Sequence, residues 1–463
     1  MLRRWRPVLA VLCGLALAVG CAPAPVPSGV VVPPDAVWEL VGGGLDDMVG
    51  LVDAVAGAGL LPVPPGRLSR FGLESAGLAA PVAVAGRGVG GIVVTAGLVD
   101  ATRLQTVLTA LIPDAGLRRQ RVLGQVDALL DEDGTTKALL RAGNGVLVVV
   151  LSPDDALAEA VLAEALATGA VEAPRRAPRG LTWRLRVGGP LADVVDEAAE
   201  GSLVLRGREL VARGRAPLRS TPGAVAVRTA LAASAAPMGC VADDVAVLTL
   251  HLPAVSGLAT IIDDEGSAPL AGLPGGLDAF EGRLTLAVLP PPAGTSPIPN
   301  DPATLASLAI VGRPRSGAAT GLRASVDEAL VGGAVEERTV GARVVRSVGA
   351  STAPWRRLSV LVDDDVFAVG LGAGLIVDRV AAGGVICPQR GRVIQLRGPA
   401  AVALLERAAP EMRVVRRLAA WTGTDDPLAV LAGIDLLGLD ASPSADGTAL
   451  DLQLALTFGR TGK

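Results

Sequence analysis

The chain has 463 residues, half of them apolar, which is too many for one ordinary core and enough for two or three. Its 42 Lys and Arg are outnumbered by 46 Asp and Glu, for a formal net charge of −4, and aromatics supply only 2% with no tyrosine. That balance argues against nucleic acid as a partner, because no basic surface with interleaved aromatics can be assembled from it, and it leaves Ala, Val and Leu to fill the cores.

At the N-terminus Arg3, Arg4 and Arg6 precede an apolar run from Pro7 to Gly20. The run is too short for a resident spanning helix and reads as a secretory signal. Removing residues 1–20 takes away three arginines and no acid, so the remaining body is more acidic still. Leu17, Ala18, Val19 and Gly20 stand before Cys21 and resemble the lipobox of bacterial lipoproteins, with Ala18 where Leu is commoner. The resemblance implies that the Cys21 thiol takes a diacylglyceryl group and that cleavage makes Cys21 the first mature residue. Acylation of the new amino terminus would then meet the multiple-chain condition for stable membrane attachment. Ordinary secretion without lipid is the alternative. Residues 21–34 continue as an uncharged, Pro-rich tether, APAPVPSGVVVPP after the cysteine.

The body repeats one order of elements. GGIVVTAGLVDATRLQTVLTALI, from Gly90 to Ile112, predicts a strand and then a helix, with Asp100 as N-cap and Leu104, Val107, Leu108 and Leu111 on one face. Its counterpart is the stretch from Thr304 to Leu330. The strand and helix start of GVLVVVLSPDDALAEAVLAEAL, beginning at Gly145, match DVFAVGLGAGLIVDRVAA, beginning at Asp365. TWRLRVGGPLADVVDEAA, from Thr182, matches RVIQLRGPAAVALLERAA, from Arg392, with Pro190 and Pro399 in the first turn of a helix, where a missing N–H costs nothing. The reading is α+β, with two tandem repeats at 35–217 and 240–459 and an Ala-rich connector at 218–239. Each repeat is expected to be a mostly antiparallel sheet with helices packed on one face. The second closes in a hairpin turning at Ala445-Asp446-Gly447. The body also resembles an uncharacterised duplicated α+β domain of bacterial exported proteins, on this strand and helix pattern and the helix start at Ser152 to Asp155. That resemblance implies a fold and not an activity.

Candidate chemistry is sparse. Asp363, Asp364 and Asp365 could suggest a metal site, but the matching place in the first repeat is Arg141-Ala142-Gly143-Asn144-Gly145, which has no carboxylate, so a turn is the better reading. Asp131, Glu132, Asp133 and Gly134 likewise lack the further oxygen ligands of an EF-hand and read as a hairpin turn. Gly86 to Gly91, GRGVGG, leads into a strand, so no helix N-terminus is offered to a phosphate. His251 is the single histidine; it cannot build a His-based metal cluster, and a structural or surface role is expected over general base. No serine sits in G-x-S-x-G, and neither Lys137 nor Lys463 follows a serine at S-x-x-K spacing. Arg118, Arg119 and Arg121, and the group of Arg175, Arg176 and Arg179, read as solvated faces or linker.

Cys240 and Cys387 remain after Cys13 and Cys21 are assigned to signal and lipid. In an oxidising compartment they form a candidate disulfide, whose long loop would contribute roughly 4 to 5 kcal/mol in chain-entropy terms, and two buried free thiols are the alternative. The expectation is a non-enzymatic envelope lipoprotein without catalytic residues, metal or cofactor. It would be held by its lipidated N-terminus to a membrane of the bacterial cell envelope, with the outer membrane expected, facing the periplasm or the cell surface, and would bind an envelope protein or polymer. A carrier of a lipid or other apolar ligand is the runner-up.

Overall fold

The structure is a computed structural model, and it describes residues 36–57, 69–86, 92–114, 116–123, 126–143, 145–151, 180–186, 192–232, 246–253, 279–296, 298, 304–349, 353–383, 392–407 and 427–459. The first ten strands are β1 (Trp38–Gly42), β2 (Leu78–Gly86), β3 (Ile92–Leu98), β4 (Arg118–Leu123), β5 (Val126–Leu130), β6 (Thr136–Gly143), β7 (Val146–Leu151), β8 (Leu181–Arg186), β9 (Ala198–Arg206) and β10 (Glu209–Pro217). The second ten are β11 (Leu248–Pro253), β12 (Phe280–Leu289), β13 (Ser307–Pro314), β14 (Val335–Val340), β15 (Arg343–Val348), β16 (Leu358–Val362), β17 (Phe367–Leu371), β18 (Arg392–Arg397), β19 (Ile434–Pro443) and β20 (Ala449–Phe458). Helices α1 (Leu45–Gly57), α2 (Arg70–Ser75), α3 (Ala101–Asp114), α4 (Pro222–Ala232), α5 (Ala318–Leu330), α6 (Gly374–Ala381), α7 (Gly398–Leu405) and α8 (Pro427–Ala432) lie between them.

All twenty strands join one antiparallel sheet. From one edge its order is β4-β5-β6-β7-β3-β2-β1-β8-β9-β10, and it continues β20-β19-β18-β11-β12-β13-β17-β16-β15-β14. Counted from β11, the last ten strands pair in the order that the first ten follow from β1. The join is β10 against β20, in unbroken register from Glu209 opposite Thr457 to Pro217 opposite Ala449, with Arg213 opposite Gln453 at its centre.

Local chemistry accounts for the boundaries. Asp100 caps α3 by accepting the amides of Thr102 and Arg103 at 3.0 Å each. Leu104, Val107 and Leu108 of that helix are buried against Leu98, Leu140 and Val149. Pro399 falls in the first turn of α7, and Gly447 turns the closing hairpin at φ +68°. Pro190 and the stretch from Ser152 to Asp155 lie outside the described residues.

Alternate residues of a strand point to opposite sides. In β13 and β17, Ile310 and Phe367 share a cluster with Leu322 of α5, and the Phe280 and Phe367 rings meet edge to face at 5.1 Å. Ala309, Val311 and Ala368 instead share a cluster with Ile376 and Val377 of α6. Helix contacts therefore occur on both sides of these strands, where strand alternation alone suggested a single covered side. The expected connector also contains structure: α4 buries Ala224, Val227 and Leu231 among Val194, Ala216, Ala441 and Leu450. No helix among the described residues is long and apolar enough to cross a membrane.

Candidate functional site

Strand β11 lies between β12 and β18, and its alternation sends Leu248, Leu250 and Leu252 to one side and Thr249 and His251 to the other. The leucine side continues an aliphatic row. Leu250 pairs with Leu286 and with Ile394, which in turn pairs with Leu439. The polar side is buried: Thr249 and Thr285 are each 1% exposed and His251 is 4% exposed. A buried imidazole needs a partner, and Thr285, directly opposite on β12, places its hydroxyl 2.9 Å from His251 Nδ1. Among the described residues His251 Nε2 has no partner.

Two guanidinium groups complete the cluster. Arg392 donates from Nε to Asp440 Oδ1 at 2.6 Å and from Nη1 to Gln395 Oε1 at 2.7 Å. It lies across Gly438, where a side chain would meet its Nη1 at 3.0 Å. Arg283 stands beside a β-bulge between Glu281 and Thr285, after Gly282 at φ +73°. Such an irregularity can aim a side chain off the regular pleat. Arg283 donates to the carbonyl of Arg392 at 3.0 Å and to that of Leu231, in α4, at 3.1 Å. Its buried Nε has no partner, and among the described residues no carboxylate pairs with it.

Burial first, and then the charges of Arg283 and Arg392, push His251 down to about 4. At neutral pH the ring is uncharged. The Thr285 hydroxyl can donate to Nδ1 or accept from it according to the ring's tautomer, and where it donates the single ring proton sits on Nε2. Arg283 is itself lowered by desolvation. The cluster thus holds two guanidinium groups, one carboxylate already engaged by Arg392, and two buried nitrogens, Arg283 Nε and His251 Nε2, without partners among the described residues. Such an arrangement can accept negative charge. A triad would need a carboxylate or nucleophile on the ring's second nitrogen, and among the described residues Nε2 meets neither.

Neither a family model nor a curated protein matches the chain. Among solved structures, the "Structure of crystal form I of TP0453" is similar with a TM-score of 0.26 and 9% identity over 42% of this chain and 81% of that one. A likeness that low carries no argument about fold or function.

The other sequence candidates fall into turns and ion pairs. Asp363 to Asp365 form the hairpin turn between β16 and β17, closed by the Asp363 amide on Val366 O at 2.7 Å. Asp364 meets Arg323 Nη2 at 2.9 Å and Asp365 meets Arg343 Nη2 at 2.7 Å, so their charges are met by arginine. Asp131 turns the hairpin between β5 and β6, accepting the Thr135 amide at 2.8 Å and pairing with Lys137 at 2.7 Å. No grouping of His, Cys, Asp and Glu suited to a metal ion occurs among the described residues. Arg119 and Arg121 are not linker: they lie on β4, and both grip the buried carboxylate of Asp127 on β5, Arg121 Nε at 2.7 Å. Cys21, Cys240, Cys387, the arginines at 175, 176 and 179, and residues 87–91 of the glycine-rich stretch lie outside the described residues. Sequence reading singled out His251 but missed Arg283, Arg392, Gln395 and Asp440. A residue pattern links none of the four, because the sheet brings β12, β18 and β19 together across long separations. The one available signal was Gln395, a polar residue inside the otherwise apolar run from Val393 to Leu396.

Proposed function

We propose that the chain is a lipid-anchored protein of a bacterial envelope, whose body consists of two copies of one α+β unit and which works by binding rather than by turnover. The observation that carries this reading is the apolar run that ends at Cys21, followed by the uncharged tether to residue 34. The shared strand order of β1–β10 and β11–β20, each set ending in the strand that makes the join, supports the two-copy body. The anchor is tested by expressing the chain with Cys21→Ser. The parent chain is expected in the membrane fraction with a lipid-modified N-terminus by intact mass, and the variant without that mass. An unmodified parent chain in the soluble fraction would overturn the reading.

A carrier of an apolar ligand is the second reading, and one feature favours it. Across the join, Leu205, Leu210, Leu456 and Leu437 stand opposite one another on β9, β10, β20 and β19, and the next row is Leu203, Ala212, Leu454 and Leu439. The seven leucines are only half-buried. Native mass spectrometry of the chain released gently from membranes is the discriminating test. A lipid-mass adduct lost on denaturation favours the carrier, and a bare chain favours the binding scaffold.

A further inference from the structure

We propose that Arg283 and His251 form a receptor for one oxyanion group of a ligand, a carboxylate or a phosphate. The inference deepens the binding function proposed above but is independent of the lipid anchor. Three observations carry it. First, Arg283 holds a half-buried guanidinium whose acceptors among the described residues are two neutral carbonyls, while its buried Nε has none. A buried cation without counter-charge is costly, and an oxyanion supplies short, charge-assisted bonds to that same fork. Second, His251 is 4% exposed and its Nε2 is unpartnered, while Thr285 fixes the ring through Nδ1. Third, the two groups are diagonal neighbours on one side of β11 and β12, since His251 pairs with Thr285 and Arg283 lies two residues before it, opposite Pro253. Diagonal positions are roughly 7–8 Å apart, within reach of one group for a side chain as long as arginine.

Arg392 shares its charge with Asp440, so the positive charge left over belongs to Arg283. Arg283 is half-buried where His251 is enclosed, so a ligand would reach Arg283 first. In this reading Arg283 Nε and His251 Nε2–H donate to the oxygens of the ligand, with no bond made or broken. The simpler assignment for Arg283 is that it only ties the end of α4 to β18 through the two carbonyls. The two assignments differ in what the histidine feels.

Because the chain has a single histidine, selective labelling of histidine with nitrogen-15 gives one ring to follow by NMR. The full-length chain is titrated at neutral pH and constant ionic strength with inorganic phosphate, with acetate, and with chloride. Saturable movement of the His251 ring signals by phosphate or acetate is expected, and the tighter of the two names the oxyanion. Arg283→Gln should weaken that binding about tenfold or more, and Arg283→Lys should retain part of it. If Arg283→Gln fails to fold, Arg283→Lys and the contrast with chloride still decide. No movement, or movement unchanged in the Arg283 variants, overturns the proposal. A linear shift that chloride reproduces means an adventitious ion only and overturns it as well. None of these readouts depends on Cys21, so failure here is distinct from failure of the anchor.

Discussion

Strands β1 and β2 and strands β11 and β12 occupy the same place in the two halves of the sheet order, yet their inward side chains differ in kind. On β1, Val41 stands opposite Ala83, which is buried. On β11, His251 stands opposite Thr285, and Arg283, Arg392, Gln395 and Asp440 gather beside them. The first half also carries polar groups on that side, Glu39 opposite Arg184 of β8, but no enclosed imidazole, whereas the second gathers a histidine, two arginines, a glutamine and an aspartate that must find partners. Among the described residues a buried arginine Nε without a partner occurs in both halves, at Arg184 and at Arg283, whereas the enclosed imidazole with an unpartnered nitrogen belongs to the second.

Five perturbations sharpen this contrast, in falling order of effect. Asp440→Asn removes the carboxylate on Arg392 Nε, and because the pair is largely withdrawn from water it should destabilise the protein by about 3 kcal/mol in urea unfolding. A loss under about 1 kcal/mol would mean that the polar cluster is loosely held. The second effect is a pH dependence. The His251 ring is held at about 4, below the 6.5 of an unperturbed histidine, so the unfolded chain takes up the proton first. Stability from this group is fully present above about pH 6.5, falls between 6.5 and 4, and levels off below that, a change on the order of 3 kcal/mol. In phosphate-free buffer, His251→Gln should flatten that part of the profile, and an unchanged profile would place its origin in the carboxylates.

Third, Thr285→Val strips the histidine of its Nδ1 partner and should cost about 1–2 kcal/mol. Ala83→Ser makes the opposite change in the first half, burying a hydroxyl opposite Val41, and should cost a similar amount. If Ala83→Ser is neutral, the first half tolerates polarity and the contrast weakens. Last, Arg323→Ala removes an exposed pairing to the turn aspartates and should cost less than about 1 kcal/mol, with no change on adding calcium.

These differences mark where the sequence was legible. Local signals held up: Asp100 as a cap, Pro399 in a first turn, and Asp363 to Asp365 as a turn all rest on interactions within a few residues. Side-chain partners across strands were not legible. Arg121 is exposed, as a solvated run would have it, but its pairing and that of Arg119 with Asp127 could not be seen because that aspartate lies on the next strand. The Arg392 to Asp440 pair depends on the register of β18 against β19, including the bulge between Arg392 and Ile394, which no periodicity announces. The two helix-bearing sides of β13 and β17 escaped notice because Ala309, Val311 and Ala368 alternate with Ile310, Phe367 and Val369, so both sides of the strands are apolar.

The comparison rests on the two halves being parts of one sheet, joined at β10 and β20. Hydrogen exchange of the backbone amides, followed by mass spectrometry on peptides covering 209–217 and 449–458, tests that most directly. The expected result is protection of both strands comparable to that of β3 and β7 in the first half. Exchange of β10 and β20 as fast as that of the edge strand β14 would show two separate sheets and would contradict the account.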